Sequence, residues 1–546
     1  MESAKHAGDA AVAVSKAYGV DTMFTLSGGH VFPLYDGAVH EDMRILDVRH
    51  EQSAVFAAEA TARLTRKPGL AVLTAGPGIT NGVSGVTTAH FNGSPVVVMG
   101  GRAPQSRWGS GALQELDHPP LLKPITKLSF TATDAESVSQ DVEMAFRTAV
   151  APHRGPVFLD FYMDHLFSPS SAHEVRTQTP SPLEPDPDDL AAIARLLAEA
   201  ERPVLVYGSD VWMDRAEEAA RDFAETWRLP VIPNGQGRGI LPSGHELLVT
   251  RARSLAFKQA DLVIVIGTPL DFRLNFGWFG SKDALARVVH IADAPSQLAT
   301  HMQPAASAAG DLSVVLWSLG TACGDAGVKP DTYASWVSKL ADTAAAAIAG
   351  DAELLASGSD PIHPMRVYGE LGKVLADDAV VIGDGGDFVS YAGKYVEPKQ
   401  PGNWLDPGPY GCLGTGLGYS VAARLARPSS QVVLLLGDGA AGFSLMDVDT
   451  LVRHKLPVVM ICGNNGIWGL EKHPMQLLYG YDVAAELQSQ CRYDQVVTAL
   501  GGGGELVTKP SEIGPALRRA FDSGIPYMVN IATDPQIAYP RSTTGV

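Results

Sequence analysis

Residues 431–469 read QVVLLLGDGAAGFSLMDVDTLVRHKLPVVMICGNNGIWG, and this segment decides the fold. An apolar run, a Gly-Asp-Gly turn, an amphipathic stretch, a second apolar run and an Asn-Asn turn follow one another, which predicts a strand–helix–strand unit. In such a unit both turns leave the carboxyl edge of a parallel sheet. We therefore expect Asp438 and Asn465, 27 positions apart, in one crevice at that edge.

These two residues form a sparse set of hard oxygen ligands. One carboxylate and one amide oxygen suit Mg²⁺, which usually completes its octahedral shell with water and with phosphates of a substrate or cofactor. We predict that Asp438, Asn465 and the carbonyl of Ile467 hold Mg²⁺ against a diphosphate. Gly437 and Gly439 would let the backbone approach that diphosphate closely.

Each turn taken alone is more often a plain β-turn, and only their combination favours a metal site. A second Gly-Asp-Gly turn in the same chain provides a comparison, because Gly411 and not an amide stands 27 residues after its Asp384. We therefore predict no metal at the second turn, although its Gly385 can still contact the diphosphate.

The chain of 546 residues repeats the alternation of short apolar runs and Ala-rich amphipathic stretches in three blocks. The predicted fold class is α/β, with three doubly wound parallel-sheet domains at residues 1–168, 190–330 and 360–546. A segment rich in Pro, Ser and acidic residues, 168–189, is typical of an interdomain linker. An Ala-rich helix over residues 333–356 is predicted before the third domain.

Composition and charge narrow the classes of partner. The net charge of −18 disfavours nucleic acids and anionic membrane surfaces. The N-terminal segment is typical neither of a signal peptide nor of a membrane span, and no later apolar run reaches membrane length. The four cysteines form no Cys-x-x-Cys pair, so we predict no disulfide framework and no structural zinc, and a cytoplasmic location fits best.

The Gly-Asp-Gly and Asn-Asn turns at this spacing resemble the signature of thiamine-diphosphate enzymes, and the resemblance extends over essentially the whole chain. It implies a pyrimidine-binding domain, a central domain and a diphosphate-binding domain, in the order of the three blocks. It also implies thiamine diphosphate and Mg²⁺ as cofactors. Because different subunits of that family hold the two ends of one cofactor, a homodimer or homotetramer with active sites at the subunit interface is expected.

The resemblance assigns Glu51, in the segment DVRHEQSAVFAAEA, to the glutamate that this family carries at the head of a helix. A carboxylate hydrogen-bonded to N1′ of the aminopyrimidine favours the 4′-imino tautomer, whose nitrogen removes the C2 proton of the thiazolium. Taken alone, such a residue is more often a first-turn glutamate favoured by the helix dipole. The surrounding segment favours the catalytic interpretation.

Two glycine-rich segments resemble turns that contact the cofactor in this family. TAGPGITNG, residues 74–82, resembles the turn that approaches the pyrimidine ring. GCLGTGLGYSVAARLA, residues 411–426, resembles the run whose apolar side chain keeps the cofactor bent; Leu413 has that position and can at the same time be core. The residues implied to contact the cofactor are Gly76, Pro77, Asn81, Gly385, Gly411, Leu413, Gly437, Gly439, Ala440 and Ile467.

The sequence resembles two branches of the family. The first domain, with PVVVMGGRAP and GALQELDHPPLLKPITK, resembles acetolactate synthases and includes Gln114 and Glu115. The third domain, with GLGYSVAA and RYDQVVTALGG, resembles the branch of 2-hydroxyacyl-CoA lyase and oxalyl-CoA decarboxylase. Acetolactate synthases carry Gln-Trp where this chain has His473 and Pro474, so the wall of a small pocket for a second 2-oxo acid is missing.

The preferred prediction is therefore a lyase that cleaves a 2-hydroxyacyl-CoA, reversibly, to formyl-CoA and an aldehyde or ketone. The alternative is an acetolactate synthase that decarboxylates pyruvate and joins the fragment to a second 2-oxo acid. A non-catalytic relative, a third alternative, would be expected to lack Glu51 or the Asp438/Asn465 pair. Besides Glu51, the predicted catalytic residues are His30, Gln114, Glu115, His473 and Glu486, although a lone His or Glu in a turn is usually structural.

The central domain is predicted to offer a second cleft. It would hold ADP or the nucleotide end of CoA, or FAD, which acetolactate synthases bind in this domain. Arg251, Arg253 and Arg273 are the candidates to contact the phosphates, against the plainer interpretation that they are solvated surface charges.

Overall fold

A computed structural model describes residues 6–170, 175, 177 and 181–539 of the chain. Its strands form three all-parallel sheets that follow one another along the sequence, together with one short hairpin. Clusters of buried apolar side chains cover both faces of each sheet. The predicted fold class, three doubly wound α/β domains, is thereby confirmed. The middle of the predicted linker and both chain ends lie outside the described residues.

The first sheet belongs to the N-terminal domain. Its strands are β1 (Thr22–Thr25), β2 (Arg44–Asp47), β3 (Gly69–Leu73), β4 (Val96–Arg102), β5 (Leu128–Ala132) and β6 (Val157–Tyr162). Its helices are α1 (Ala7–Ala17), α2 (Phe32–His40), α3 (Glu51–Thr65), α4 (Pro77–Phe91), α5 (Pro119–Leu122), α6 (Val138–Val150) and α7 (Met163–Phe167). The spatial order is β2-β1-β3-β4-β6-β5. Every residue of β3 and β4 is buried, as expected for parallel strands covered on both faces.

The second sheet forms the central domain. Its strands are β7 (Pro203–Tyr207), β8 (Val231–Pro233), β9 (Leu262–Ile266), β12 (Arg287–Ala292) and β13 (Ala306–Ala309), and the hairpin strands are β10 (Gly280–Ser281) and β11 (Ala284–Leu285). Its helices are α8 (Pro187–Glu199), α9 (Ser209–Met213), α10 (Glu217–Thr226), α11 (Arg253–Gln259), α12 (Leu312–Asp325), α13 (Ala334–Gly350) and α14 (Ala352–Leu355). The order β13-β12-β9-β7-β8 places β8 and β9 on opposite sides of β7.

The third sheet has the order β15-β14-β16-β17-β19-β18. Its strands are β14 (Val380–Asp384), β15 (Trp404–Leu405), β16 (Val432–Gly437), β17 (Val459–Asn464), β18 (Gly503–Val507) and β19 (Tyr527–Ala532). Its helices are α15 (Pro364–Leu371), α16 (Asp387–Tyr395), α17 (Thr415–Ala426), α18 (Asp438–Ser444), α19 (Val448–Arg453), α20 (Gly469–Tyr479), α21 (Tyr493–Ala499) and α22 (Pro510–Asp522). β16, α18, α19 and β17 form the unit predicted from residues 431–469.

The first and third domains share one hydrophobic core. A single cluster of buried side chains runs from the first sheet to the third through helices α3 and α17, which pack on each other. Asp447 adds a polar connection, since its carboxylate accepts hydrogen bonds from the Arg49 amide at 2.7 Å and the Ser53 hydroxyl at 2.5 Å. The start of α3 is thereby fixed against the third domain. None of the described helices is both long and apolar enough to cross a membrane.

Candidate active site

The two turns predicted to bind metal lie side by side at the carboxyl edge of the third sheet. β16 and β17 are parallel neighbours; Asp438 follows the first and Asn465 follows the second. The amide of Gly466 donates to Asp438 Oδ2 at 2.6 Å, and the amide of Ile467 donates to Asn465 Oδ1 at 3.2 Å. A hydrogen bond therefore connects the two turns directly.

The carboxylate of Asp438 is buried among neutral groups. Only 3% of the residue is exposed, and burial raises the pKa of its carboxyl to about 6 although the amides of Gly466 and Gly439 oppose the shift. A buried carboxylate without a cationic partner gains most from a bound cation. A carboxylate, an amide oxygen and a main-chain carbonyl form the type of donor set that Mg²⁺ takes up together with phosphate oxygens. The residues present therefore fit Mg²⁺.

Glycine residues lie beside the predicted metal ligands. A Cβ on Gly385, whose φ is +127°, would lie 3.3 Å from the Gly437 nitrogen and 3.4 Å from the Ala440 Cβ, so these three predicted cofactor residues converge. A Cβ on Gly437 would meet nothing within 4 Å, which leaves open space beside its backbone. A Cβ on Gly439 would lie 2.4 Å from the ring of Trp468, so no side chain fits there. The open space fits the predicted diphosphate.

The second Gly-Asp-Gly turn orients the loop that carries Leu413. Asp384 is fully buried and accepts hydrogen bonds from the amides of Gly414 at 3.0 Å and Gly416 at 2.8 Å. Leu413, half-buried, lies between these anchored amides and the exposed Gly411. The sequence prediction considered only the glycines of this turn, and the positioning role of Asp384 was missed because its partners lie about thirty residues away.

Glu51, predicted to contact the pyrimidine end of a cofactor, is the first residue of α3. It is 6% exposed, and its Oε2 accepts a hydrogen bond from Asn81 Nδ2 at 2.9 Å. Asn81 belongs to α4, which begins at Pro77 directly after Gly76, whose φ is +59°. The structure therefore brings together the glutamate and the predicted pyrimidine-binding turn.

A buried histidine that the sequence prediction missed supports that turn. His118 Nε2 accepts a hydrogen bond from the Gly76 amide at 2.9 Å, and His118 Nδ1 lies 2.8 Å from Asp160 Oδ2. Asp160 in turn contacts Arg102 at 3.1 Å and the Thr131 hydroxyl at 2.6 Å. These partners imply a neutral imidazole with the proton on Nδ1. No local motif predicts this network, because its five members come from five separate segments.

Two of the predicted substrate-contacting residues adjoin this turn. His30 is 7% exposed, its Nδ1 lies 3.2 Å from Thr74 Oγ1, and burial lowers its pKa. Gln114 has a φ of +60°, and its Cβ lies 2.9 Å from the position of a Cβ on Gly76. The structure therefore places His30 and Gln114 beside the predicted pyrimidine-binding turn.

Two of the other three predicted catalytic residues, Glu115 and Glu486, have local partners. Glu115 accepts hydrogen bonds from two amides of its own loop, at 3.0 and 3.2 Å. Glu486 forms an ion pair with Lys472 and a β-bridge with Ile467, which places it close to the predicted metal ligands. His473 lies on α20, and its Nε2 is buried without a hydrogen-bond partner among the described residues. The structure does not bring these three residues together.

The arginines predicted to bind nucleotide phosphates have neighbours within the chain. Arg251 forms an ion pair with Asp351, and Arg273 forms one with Asp271 at 2.7 Å. Arg253 donates to the main-chain oxygen of Arg273 at 2.5 Å and, among the described residues, has no carboxylate partner. Two of the three guanidinium groups are thus neutralised within the chain.

Comparison with known proteins identifies the family. Three family models match: the thiamine pyrophosphate enzyme N-terminal TPP binding domain at residues 5–121, the central domain at 190–319 and the C-terminal TPP binding domain at 384–531. The chain is 50% identical over 541 residues to "Acetolactate synthase large subunit IlvG" of Mycobacterium tuberculosis, covering 98% of this chain and 97% of that protein. The chain belongs to the thiamine pyrophosphate enzyme family.

More distant members of the family align over nearly the whole chain as well. "2-Hydroxyacyl-CoA lyase 2" of Caenorhabditis elegans is 33% identical, with 96% of this chain and 88% of that protein aligned. The protein of the same name in Homo sapiens is 31% identical, with 97% and 90% aligned. The predicted family is confirmed, and the protein is a thiamine-diphosphate-dependent enzyme. The relatives of both predicted branches are present, and the higher identity is on the acetolactate synthase side.

Proposed function

We propose that the protein is a carboligase of the acetolactate synthase type, dependent on thiamine diphosphate and Mg²⁺. It would decarboxylate pyruvate and join the remaining two-carbon unit to a second 2-oxo acid. The observation that carries this proposal is the 50% identity, along 98% of the chain, to a protein named acetolactate synthase. This identity reverses the order of the two predicted functions. The sequence alone favoured the acyl-CoA lyase, because His473 and Pro474 stand where acetolactate synthases carry Gln-Trp.

The described residues support distinct tasks at the two ends of the site. Asp438, Asn465 and the carbonyl of Ile467 would hold Mg²⁺ and through it the diphosphate. Glu51, buried and oriented by Asn81, would share a proton with the aminopyrimidine. Thiamine diphosphate supplies, when bound, an electron sink for the carbon that loses its carboxylate.

His30 and Gln114 would contact the 2-oxo acid. Both adjoin the pyrimidine-binding turn, and Gln114 lies in the segment that resembles acetolactate synthases. Burial lowers the pKa of His30, so its imidazole is mainly neutral at pH 7 and can accept or donate a single hydrogen bond. A neutral side chain there would orient the substrate carbonyl without trapping its carboxylate in an ion pair.

The acyl-CoA lyase is the second candidate. It is favoured by His473 and Pro474 and by relatives named 2-hydroxyacyl-CoA lyase 2 that align over 96–97% of the chain. This function would use Arg253, the one predicted phosphate contact that lacks a carboxylate partner among the described residues, at the nucleotide end of CoA. The pairing of Arg251 and Arg273 within the chain weakens this candidate.

Substrate assays separate the two functions. The holoenzyme, with thiamine diphosphate and Mg²⁺, would be supplied with pyruvate or with 2-hydroxyisobutyryl-CoA, and acetolactate, CO₂ and formyl-CoA would be measured. The proposal expects acetolactate and CO₂ from pyruvate and little formyl-CoA. Formyl-CoA at appreciable turnover, with no acetolactate, would establish the lyase instead. Glu51→Gln serves as the inactive control in both assays.

The assembly is proposed to be a homodimer or homotetramer. Apolar side chains near the predicted metal site are half or more exposed in the single chain, namely Phe443, Met446, Leu477 and Leu478. Such a surface favours burial against a second subunit. A cytoplasmic location is proposed as well, because the four cysteines are free thiols.

A further inference from the structure

The central domain has a cleft where parallel sheets usually bind dinucleotides. Because β8 and β9 flank β7 on opposite sides, the topological switch point lies between β7 and β9. A cavity of about 590 Å³ opens at the carboxyl ends of these strands. Its walls come from the central domain and from the first domain, which contributes His90, Lys127, His153 and Arg154. FAD would have to bind here if the protein used it.

The side chain of Asp210 occupies the space between the two turns that follow β7 and β9. The first turn reads Gly208-Ser209-Asp210 and has a single glycine, whereas dinucleotide turns are glycine-rich so that a diphosphate can approach the backbone. A Cβ on Gly267, in the second turn, would lie 3.2 Å from the Cβ of Asp210. Asp210 is 9% exposed, so its carboxylate takes the place where the backbone would meet a diphosphate.

Two further carboxylates surround that place. The ligand atoms of His153, Asp210 and Asp293 lie within 4.8 Å of one another. Asp214 lies beside them. Its Oδ2 accepts a hydrogen bond from the amide of Leu312, the first residue of α12, at 3.1 Å. Burial, followed by the carboxylate of Asp293, raises the pKa of Asp210 to about 7, because a charge on its carboxylate is unfavourable at this place. A diphosphate would add two negative charges to this cluster.

His153 and Arg154 of the cleft are already paired with these carboxylates, whereas Lys127 donates to the main-chain oxygen of Ala151 at 2.7 Å and has no carboxylate partner among the described residues. Arg154 contacts Asp214 at 2.5 Å and Asp293 at 3.8 Å, and His153 contacts Asp293 at 2.9 Å. Each of these ion pairs joins the first domain to the central domain. At the rim of the cleft Arg273 is paired with Asp271. A phosphate-binding site needs donors that are free to bind phosphate, and these guanidinium groups are not.

We infer that the central cleft excludes FAD and other dinucleotide diphosphates, and that the enzyme works without flavin. A cluster of charged side chains takes the place of a cofactor and connects the first domain to the central one. Its members are His153, Arg154, Asp210, Asp214 and Asp293. The residues therefore do not fit the flavin that acetolactate synthases hold in this domain. The inference concerns the cleft alone, so it does not depend on a 2-oxo acid being the substrate.

The first test is flavin content and flavin binding. The holoenzyme would be incubated with FAD, desalted and examined for the visible flavin band, and FAD would be titrated against the protein by quenching of flavin fluorescence. We expect no retained flavin, no saturable quenching and the same turnover with and without FAD. Stoichiometric retained FAD, or turnover that requires it, would overturn the inference. The binding arm needs no substrate, so it stays decisive even if the proposed reaction is wrong.

The second test concerns the fastening role. Arg154→Gln removes the guanidinium that contacts both Asp214 and Asp293, and we expect a lower Tm and faster proteolysis between the first and central domains. Glu225→Gln, at an exposed pair with His245 in the central domain, is the matched control and should leave both unchanged. An Arg154→Gln protein as stable and as protease-resistant as wild type would refute the fastening role, whatever the flavin result.

Discussion

Replacing His118 by alanine tests whether a buried histidine holds the pyrimidine-binding turn. The imidazole is fully buried and contacts the Gly76 amide at 2.9 Å and Asp160 at 2.8 Å. Alanine would leave the Gly76 amide, a buried donor, without this partner, which costs about 1–3 kcal/mol, whereas Asp160 keeps Arg102 and Thr131. The free energy of unfolding should therefore fall by at least about 1–3 kcal/mol.

The same change should slow the reaction, because Gly76 begins the turn that is positioned against Asn81 and Glu51. A misplacement of about 1 Å at a reacting centre can lower a rate about 10²-fold, and we expect a fall in kcat of that order. His118→Gln should recover most of it, since an amide offers both an acceptor and a donor.

Turnover, thiamine diphosphate affinity and Tm would be measured for both variants, with His245→Ala at the exposed pair with Glu225 as the control. A His118→Ala protein with a lower Tm but a normal kcat and normal cofactor affinity would refute the reasoning. The histidine would then be structural only.

Three further predictions concern the cofactor cradle and the central cleft. Gly439→Ala should destabilise the protein by about 1–3 kcal/mol, because its Cβ would collide with the Trp468 ring; thermal melting checks this. Gly437→Ala should leave the cofactor-free Tm unchanged and weaken binding of thiamine diphosphate, measured by titration, since only the cofactor would meet the added Cβ. Asp210 has a raised pKa of about 7, so wild type loses stability as pH rises toward 7, while Asp210→Asn does not. The stability of Asp210→Asn relative to wild type should therefore increase from pH 5 to pH 8, by about 3 kcal/mol, and its Tm should rise accordingly; a Tm difference independent of pH would contradict the cause assigned to that shift.

The sequence was sufficient to predict that the turns carrying Asp438 and Asn465 meet. In a parallel strand–helix–strand unit the turns after both strands must reach the same edge, so Asp438 and Asn465 were expected together, and the structure joins their turns by one hydrogen bond. The longer apolar runs likewise predicted strands. Short strands such as Thr22–Thr25 and Leu128–Ala132 are harder to predict, because four or five residues of mixed polarity carry little periodic signal.

What could not be predicted depends on contacts between distant segments. His118 lies 42 residues from Gly76, and Asp447 lies nearly 400 residues from the start of α3 that it anchors. Neither pairing has a local pattern, since the first forms when the first domain folds and the second when the first and third domains pack. The ion pairs in the central cleft were not predicted either, because Arg154 and Asp214 come from different domains.

Turnover of Glu51→Gln tests the central claim most directly, that this buried carboxylate drives proton transfer at the aminopyrimidine. Glutamine keeps the shape and the hydrogen bond to Asn81 but cannot ionise. With the protein saturated with thiamine diphosphate and Mg²⁺, we predict that kcat for pyruvate falls by about 10²–10⁴-fold, the usual contribution of a general acid or base to the rate. A kcat equal to that of wild type, with cofactor bound, would contradict it.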